Sequence, residues 1–305
     1  MKHKLFTSLC GLFLLLGCSQ SAEEVILDEV THVVISANDF KSGLSSRTLL
    51  DMSTSGAVFS WAAKDTVGIF PNDGAQVYFP MEEGAGTKTA SFTGGGWALK
   101  NGYTYAAYYP FIGNYYVDKE HLPLSYTGQK QIGNASTAHL GYYDFMAAIP
   151  TAPLNGYVNF QFDHLNCLVQ MRLTVPVIAN FESLSLSCKE SIFTTKAELG
   201  FMNRTYAFIP KESSEHIDLE LEDIVSTSTN QTLTFYIMLA PLDMTGKIIY
   251  VTLEDSSGKQ YQGILGSNNM QAGYSYDFQV TLEEVTNNFS AENITAPSLG
   301  EENEI

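Results

Sequence analysis

Between residues 167 and 188 the chain alternates apolar and polar side chains with a period of two. Cys167, Val169, Met171, Leu173 and Val175 fall on one face. Asn166, Gln170, Arg172 and Thr174 fall on the other, with Leu168 out of step. Leu184, Leu186 and Cys188 then alternate with Ser183, Ser185 and Ser187. A pleated strand sends successive side chains to opposite faces, so each run predicts a strand with one face in a core. Thr232 to Leu239, Ile248 to Leu253 and Tyr274 to Leu282 read as strands as well. The runs are short and are separated by Gly, Asn, Pro and Ser clusters, which favours antiparallel sandwiches over βαβ units. No long stripe of period 3.6 is present, and a short helix is expected only around Ser136 to Tyr143. Charged residues are 16% of the chain, against about 25% in ordinary soluble proteins. Aromatic, Gly, Thr and Ser residues are abundant, a mixture that suits half-buried pleated surfaces joined by tight turns. The expected fold class is all-β.

The first residues constrain the destination. Met1-Lys2-His3-Lys4 is basic, Leu5 to Leu16 is almost wholly apolar, and Gly17-Cys18 follows. That order is a secretory signal peptide. The apolar run is too short for a membrane-spanning helix, which needs about 20 residues. Leu15-Leu16-Gly17-Cys18 also resembles the bacterial lipobox, in which the thiol receives diacylglycerol and the cut falls just before it. Cys18 is therefore the expected lipidation site, and residues 1–17 are expected to be removed. No Asp follows Cys18, so retention at the inner membrane is not implied, and the lipid is expected to hold the protein to the outer membrane.

Residues 18–305 are long enough for two domains. A break is expected near Ile149-Pro150-Thr151-Ala152-Pro153-Leu154-Asn155-Gly156, where prolines and a glycine interrupt the strands. This divides the chain into a lipidated segment at 18–47, an N-terminal domain at 48–152, a C-terminal domain at 153–285 and a polar tail at 286–305. The net charge is −17, and loss of Lys2 and Lys4 makes it −19. Such a surface repels phosphate backbones and anionic membranes, so nucleic acid is not an expected partner.

No residue pattern points to catalysis. His32, His121, His139, His164 and His216 form no metal-ligand spacing, and there is no nucleophile elbow, P-loop or dinucleotide fingerprint. Gly94-Gly95-Gly96 precedes Trp97 rather than a helix and reads as a hairpin turn. Glu82-Glu83 and Glu283-Glu284 are adjacent, so on a strand each pair points to opposite faces. No metal, cofactor or enzymatic activity is expected. Cys167 and Cys188 take inward positions on consecutive strands; they read as buried thiols, with a cross-strand disulfide as the alternative. Tyr103, Tyr105, Tyr108, Tyr109, Tyr115 and Tyr116 form a cluster that suits either core packing or an exposed sugar-binding platform.

Six local patterns occur in order. They are Arg47-Thr48 followed by Phe59-Ser60-Trp61-Ala62-Ala63-Lys64-Asp65-Thr66-Val67-Gly68-Ile69-Phe70; Phe92-Thr93-Gly94 with Trp97 close behind; Tyr105-Ala106-Ala107-Tyr108-Tyr109-Pro110; Asp144-Phe145-Met146-Ala147-Ala148; Phe160-Gln161-Phe162-Asp163-His164-Leu165; and Ala272-Gly273-Tyr274-Ser275-Tyr276. Together with the lipobox, the series resembles the fimbrillin family, the lipoprotein pilins of Bacteroides-type bacteria. The resemblance implies two transthyretin-like β-sandwich domains in tandem and no enzymatic activity. It also implies that an arginine-specific protease removes an N-terminal strand and that a strand from another subunit fills the groove. Thr31 to Ala37 matches the removable strand, and Arg47 and Thr48 stand where the cut is expected.

The implied partners are other pilus subunits, the outer membrane through the lipid, and a surface ligand. The implied place is a surface-exposed fimbrium serving adhesion. A chain-extending stalk subunit should carry an alternating donor strand near its C-terminus. Thr286-Asn287-Asn288-Phe289-Ser290-Ala291-Glu292-Asn293-Ile294 alternates poorly, so a tip or accessory subunit fits better. The competing expectation is a monomeric surface lipoprotein that binds glycans through the tyrosine-rich region.

Overall fold

A computed structural model describes residues 29–30, 32–42, 57–71, 75–94, 99–113, 117–154, 157–202, 204–266 and 269–286. Among them the chain is all-β with several sheets, and one 3-10 turn, Leu140–Tyr142, stands where a short helix was expected.

Seven strands close a barrel. Around it run Met146–Thr151, Val158–His164, His32–Ala37, Thr89–Thr93, Val77–Glu83, Thr66–Phe70 and Tyr105–Tyr109, which returns to Met146–Thr151. Its core holds Val33, Ile35, Val67, Ile69, Phe79, Phe92, Met146 and Phe162 around Trp61. The indole meets Phe92 edge-on at 5.1 Å and Tyr109 at 5.4 Å, and its Nε1–H donates to the Lys88 carbonyl at 3.1 Å. Aromatic pairs at such separations prefer this edge-to-face geometry. Gly68 has a packing task here. A Cβ at that position would lie 2.1 Å from Cε1 of Tyr108, so only glycine lets that ring cross the strand.

The second body is built from a six-stranded and a four-stranded sheet whose inward faces share one large core. Cys167–Val175 is central to the four-stranded sheet. It pairs antiparallel with Gln231–Leu239 and parallel with Tyr274–Thr281. Cys167, Val169, Met171, Leu173 and Val175 are fully buried, as the alternation requires. Leu168, out of step in sequence, is buried on the opposite face beside Phe40, Leu140 and Met238. Tyr105–Tyr109 joins the two bodies: Tyr105, Ala107 and Tyr109 face the barrel core, and Ala106 and Tyr108 face the large core.

The break expected at residue 153 falls inside the barrel. Pro150 and Pro153 interrupt the pattern because they lie in a hairpin, closed by the Leu154–Tyr157 bridge, between two barrel strands paired at Met146 and His164. Val158–His164 therefore belongs with the strands before it. Conversely, Leu122–Ser125 and Gln129–Ile132 leave the N-terminal part to pair with Phe193–Met202 and His216–Val225.

The outer edge of Gln231–Leu239 is satisfied by side chains rather than by a strand. Gln129 accepts from Met238 N–H at 2.9 Å and donates to its carbonyl at 2.7 Å. Gln131 does the same for Tyr236 N–H at 2.9 Å and the Thr234 carbonyl at 3.0 Å. Asn134 accepts from Thr234 N–H at 2.7 Å. An uncovered edge invites pairing with another chain, and this ladder closes it. Replacing Gln129 by Leu leaves buried Met238 groups without partners. It is expected to lower stability by about 1–3 kcal/mol in denaturant unfolding; an unchanged midpoint would contradict the role given to the ladder.

Candidate functional site

The feature with the clearest functional geometry is the segment from His32 to Ser42. His32–Ala37 is an internal strand of the barrel. One side pairs antiparallel with Thr89–Thr93, with Val33 opposite Phe92 and Ile35 opposite Ala90. The other pairs parallel with Val158–His164, with Val33 opposite Val158 and Ala37 opposite Phe162. Val33 and Ile35 are fully buried and Ala37 nearly so, while Ser36 Oγ meets Thr89 Oγ1 at 2.8 Å on the outer face. Alternation of this kind fixes register, because a slip of one residue would turn every apolar side chain outward. Burying a Val or Ile side chain contributes about 1.5–3 kcal/mol, so losing this strand would remove a large share of a typical domain's stability of about 5–15 kcal/mol.

Beyond Ala37 the segment turns. Asp39 accepts from Phe59 N–H at 2.9 Å and pairs with Lys88, and Asn38 Nδ2 donates to Asp163 at 3.2 Å. The turn swings Phe40 onto the imidazole of His164, ring centroids 3.8 Å apart and nearly parallel. Lys41–Ser42 then adds in parallel to Tyr274–Ser275 of the second body. One stretch of eleven residues thus enters both bodies.

His164 is the buried polar group under this strap. Its Nδ1 lies 2.7 Å from Asp144 Oδ1 and its Nε2 lies 2.8 Å from the Asn38 carbonyl. The imidazolium, with a hydrogen on each ring nitrogen, is the form of the ring that satisfies both acceptors at once. Burial opposes the charged form, but the charge and hydrogen bond of Asp144, the Asn38 carbonyl and Asp163 outweigh it and hold the pKa above its ordinary value. In the sequence His164 stands in no metal-ligand spacing, and nothing there marks Asp144 as its partner. The Met146–His164 pairing across the hairpin brings Asp144 and His164 together, so the contact is a product of topology.

Other candidate residues fall out differently. Cys167 and Cys188 are buried and both are free thiols; burial pushes the Cys167 thiol up to about 12. Tyr105, Tyr108 and Tyr109 are core residues. Their hydroxyls are engaged: Tyr109 donates to Asp65 at 2.9 Å, Tyr105 accepts from Lys100 N–H at 2.7 Å, and Tyr108 pairs with Gln76. The tyrosine platform is corrected at these positions, because the strand is buried on both faces. Only Tyr103 is partly exposed, and Tyr115 and Tyr116 lie outside the described residues. Among the described residues, no three metal-capable side chains converge. Cys18, Arg47 and Thr48 also lie outside the described residues.

The chain matches the fimbrillin-like family over residues 52–296 and belongs to it. The family is a non-enzymatic structural one associated with adhesion and fimbriae, and the chain is not an enzyme. Solved structures share its fold. A candidate cell adhesion protein from Bacteroides ovatus superposes with a TM-score of 0.54 at 16% identity, covering 84% of this chain and 96% of that one. Another from Bacteroides uniformis gives 0.53 at 14% identity, covering 84% and 95%. No curated protein matches the chain in sequence.

The raised pKa of His164 carries a sign. Its contribution to stability is complete below the ordinary histidine value of 6.5 and is lost as pH rises through the folded-state value. Asp144, Asp163 and, more distantly, Asp39 are the charges that face it. His139, whose Nδ1 is buried without a partner among the described residues, is shifted downward by burial and so acts in the opposite direction. Stability measured from about pH 5 to about pH 9 is expected to contain a component that falls with rising pH and disappears in His164→Gln. The same profile in wild type and variant would refute the assignment.

Proposed function

We propose that the chain is a pilus subunit of the cell surface. It is exported as a lipoprotein on Cys18, cut between Arg47 and Thr48, and joined to neighbouring subunits by strand exchange at the slot that His32–Ala37 occupies. The supporting observation is the place of that strand. It lies upstream of Arg47, is internal to the barrel, is paired on both sides, and has its whole apolar face buried. Its removal leaves two unpaired ladders facing each other across a gap lined by Phe92, Val158, Phe160 and Phe162. Unpaired edge amides beside alternating apolar pockets are satisfied by another strand.

The lipid and the removable strand then share one segment, 18–47. The precursor is held at the outer membrane, and cleavage releases the anchor as it opens the slot. The product belongs to a fimbrium that serves adhesion, in a tip or accessory position, since residues 286–294 alternate too poorly for a chain-extending donor. The two bodies read as transthyretin-like β-sandwich domains in tandem, with the change from one to the other after His164.

Purified precursor treated with an arginine-specific protease is expected to be cut after Arg47 and to assemble or capture a synthetic donor strand. Arg47→Gln should block both. An inert monomer after cleavage, or assembly without it, would sink the mechanism. In cells, Cys18→Ser is expected to abolish incorporation of labelled fatty acid; persistent labelling would rule out Cys18 as the lipid site.

A further inference from the structure

The segment before Arg47 carries one large apolar anchor outside its barrel strand. Phe40 follows Ala37 by three residues, is 4% exposed, and sits in a small core of its own with Leu140, Leu168 and Met238. Ala57, Tyr143 and Tyr236 pack around that core. Leu168, Tyr236 and Met238 belong to the four-stranded sheet and His164 ends a barrel strand, so the socket lies where barrel and sandwich meet. Its floor is the flat ring of His164, whose side chain is 1% exposed and is clamped by Asp144. A buried imidazolium with one face open to a ring favours an aromatic partner through the attraction between a cation and a π face. The edge of the same ring donates from Nε2 to a main-chain carbonyl, that of Asn38, two residues before Phe40.

When the strap departs, this socket loses its occupant together with the barrel slot. Leu140, Leu168, Met238 and the His164 face are then open to water, and His164 Nε2–H loses its protein acceptor. An incoming strand that fills only the slot left by Val33, Ile35 and Ala37 would leave a buried donor unpaired and an apolar cavity open. Each of these is costly.

We propose that the His164 socket is a second recognition point of the exchange site. The partner it selects is a segment bearing an aromatic ring three residues beyond the last small inward residue of its donor strand. The spacing is that of Val33, Ile35, Ala37 and Phe40, with the aromatic reached through a polar turn. The inference rests on the strand-exchange reading and adds to it a requirement outside the strand. It makes specificity depend on two features at a set distance: an alternating β-branched strand that pairing to many edges would accept, and a ring that only this junction receives.

The test uses full-length protein cut after Arg47, with its own strap still bound. Labelled peptides spanning residues 31–42 compete for the site, and exchange is followed by fluorescence anisotropy. The native peptide, F40A, F40L and a peptide ending at residue 37 are compared. The native peptide is expected to exchange. F40A and the truncated peptide should compete at least about tenfold more weakly, in keeping with the cost of truncating a buried Phe, and F40L should fall between. In protein carrying His164→Gln, the preference for Phe over Leu should shrink towards parity, an outcome that mere filling of volume does not produce.

Competition by F40A within about twofold of the native peptide, or an undiminished Phe-over-Leu preference in His164→Gln, overturns the socket while leaving strand exchange intact. Failure of every peptide, the native one included, overturns strand exchange and the socket with it.

Discussion

The barrel is closed by a strand contributed from far outside the run of chain that makes its other walls. Six of its seven strands lie between residues 66 and 164 and turn back on one another. The seventh, His32–Ala37, pairs in parallel with the last of them and antiparallel with Thr89–Thr93. Both ladders and the apolar floor depend on that one insertion. So does the shallower join between the two bodies, because the chain that leaves the strand covers His164 and then adds to the four-stranded sheet.

The treatment of edges elsewhere is the counterpart. Gln129, Gln131 and Asn134 present amide groups to the flank of Gln231–Leu239 at the spacing a neighbouring strand would use. That flank is satisfied by its own chain without forming a sheet. Among the described residues, one junction is thus made by a strand from outside the run that builds the barrel, and another is sealed by side chains. An uncovered edge pairs readily with another chain, and the side-chain ladder removes that option at this flank.

Much of this was legible in the sequence where burial is one-sided. The runs at 183–188 and 274–282 alternate because each has one face in the large core, and Asn180–Ser187 and Tyr274–Thr281 are strands; Cys167–Val175 alternates except at Leu168. Leu168 broke the pattern because Phe40, remote in sequence, covers it. The strand Tyr105–Tyr109 was ambiguous for the same kind of reason: buried on both faces, it shows no alternation, and its tyrosines suited a surface platform as well as a core. The prolines at 150 and 153 looked like a linker because a tight hairpin and a domain boundary use the same residues. The pairing of Asp144 with His164 had no local signature, since it arises from hairpin register and two isolated polar residues do not announce it.

The orientation of His32–Ala37 also has a mechanical consequence. Hydrogen bonds on both flanks run across the strand, so tension applied along it loads the two ladders together in shear. Peeling from one end would break them one at a time. The bend at Asn38 to Phe40, held by His164, meets a pull toward the N-terminus like a knot drawn against an eyelet. Tension along this strand therefore meets more resistance than a sideways lift applied at one end.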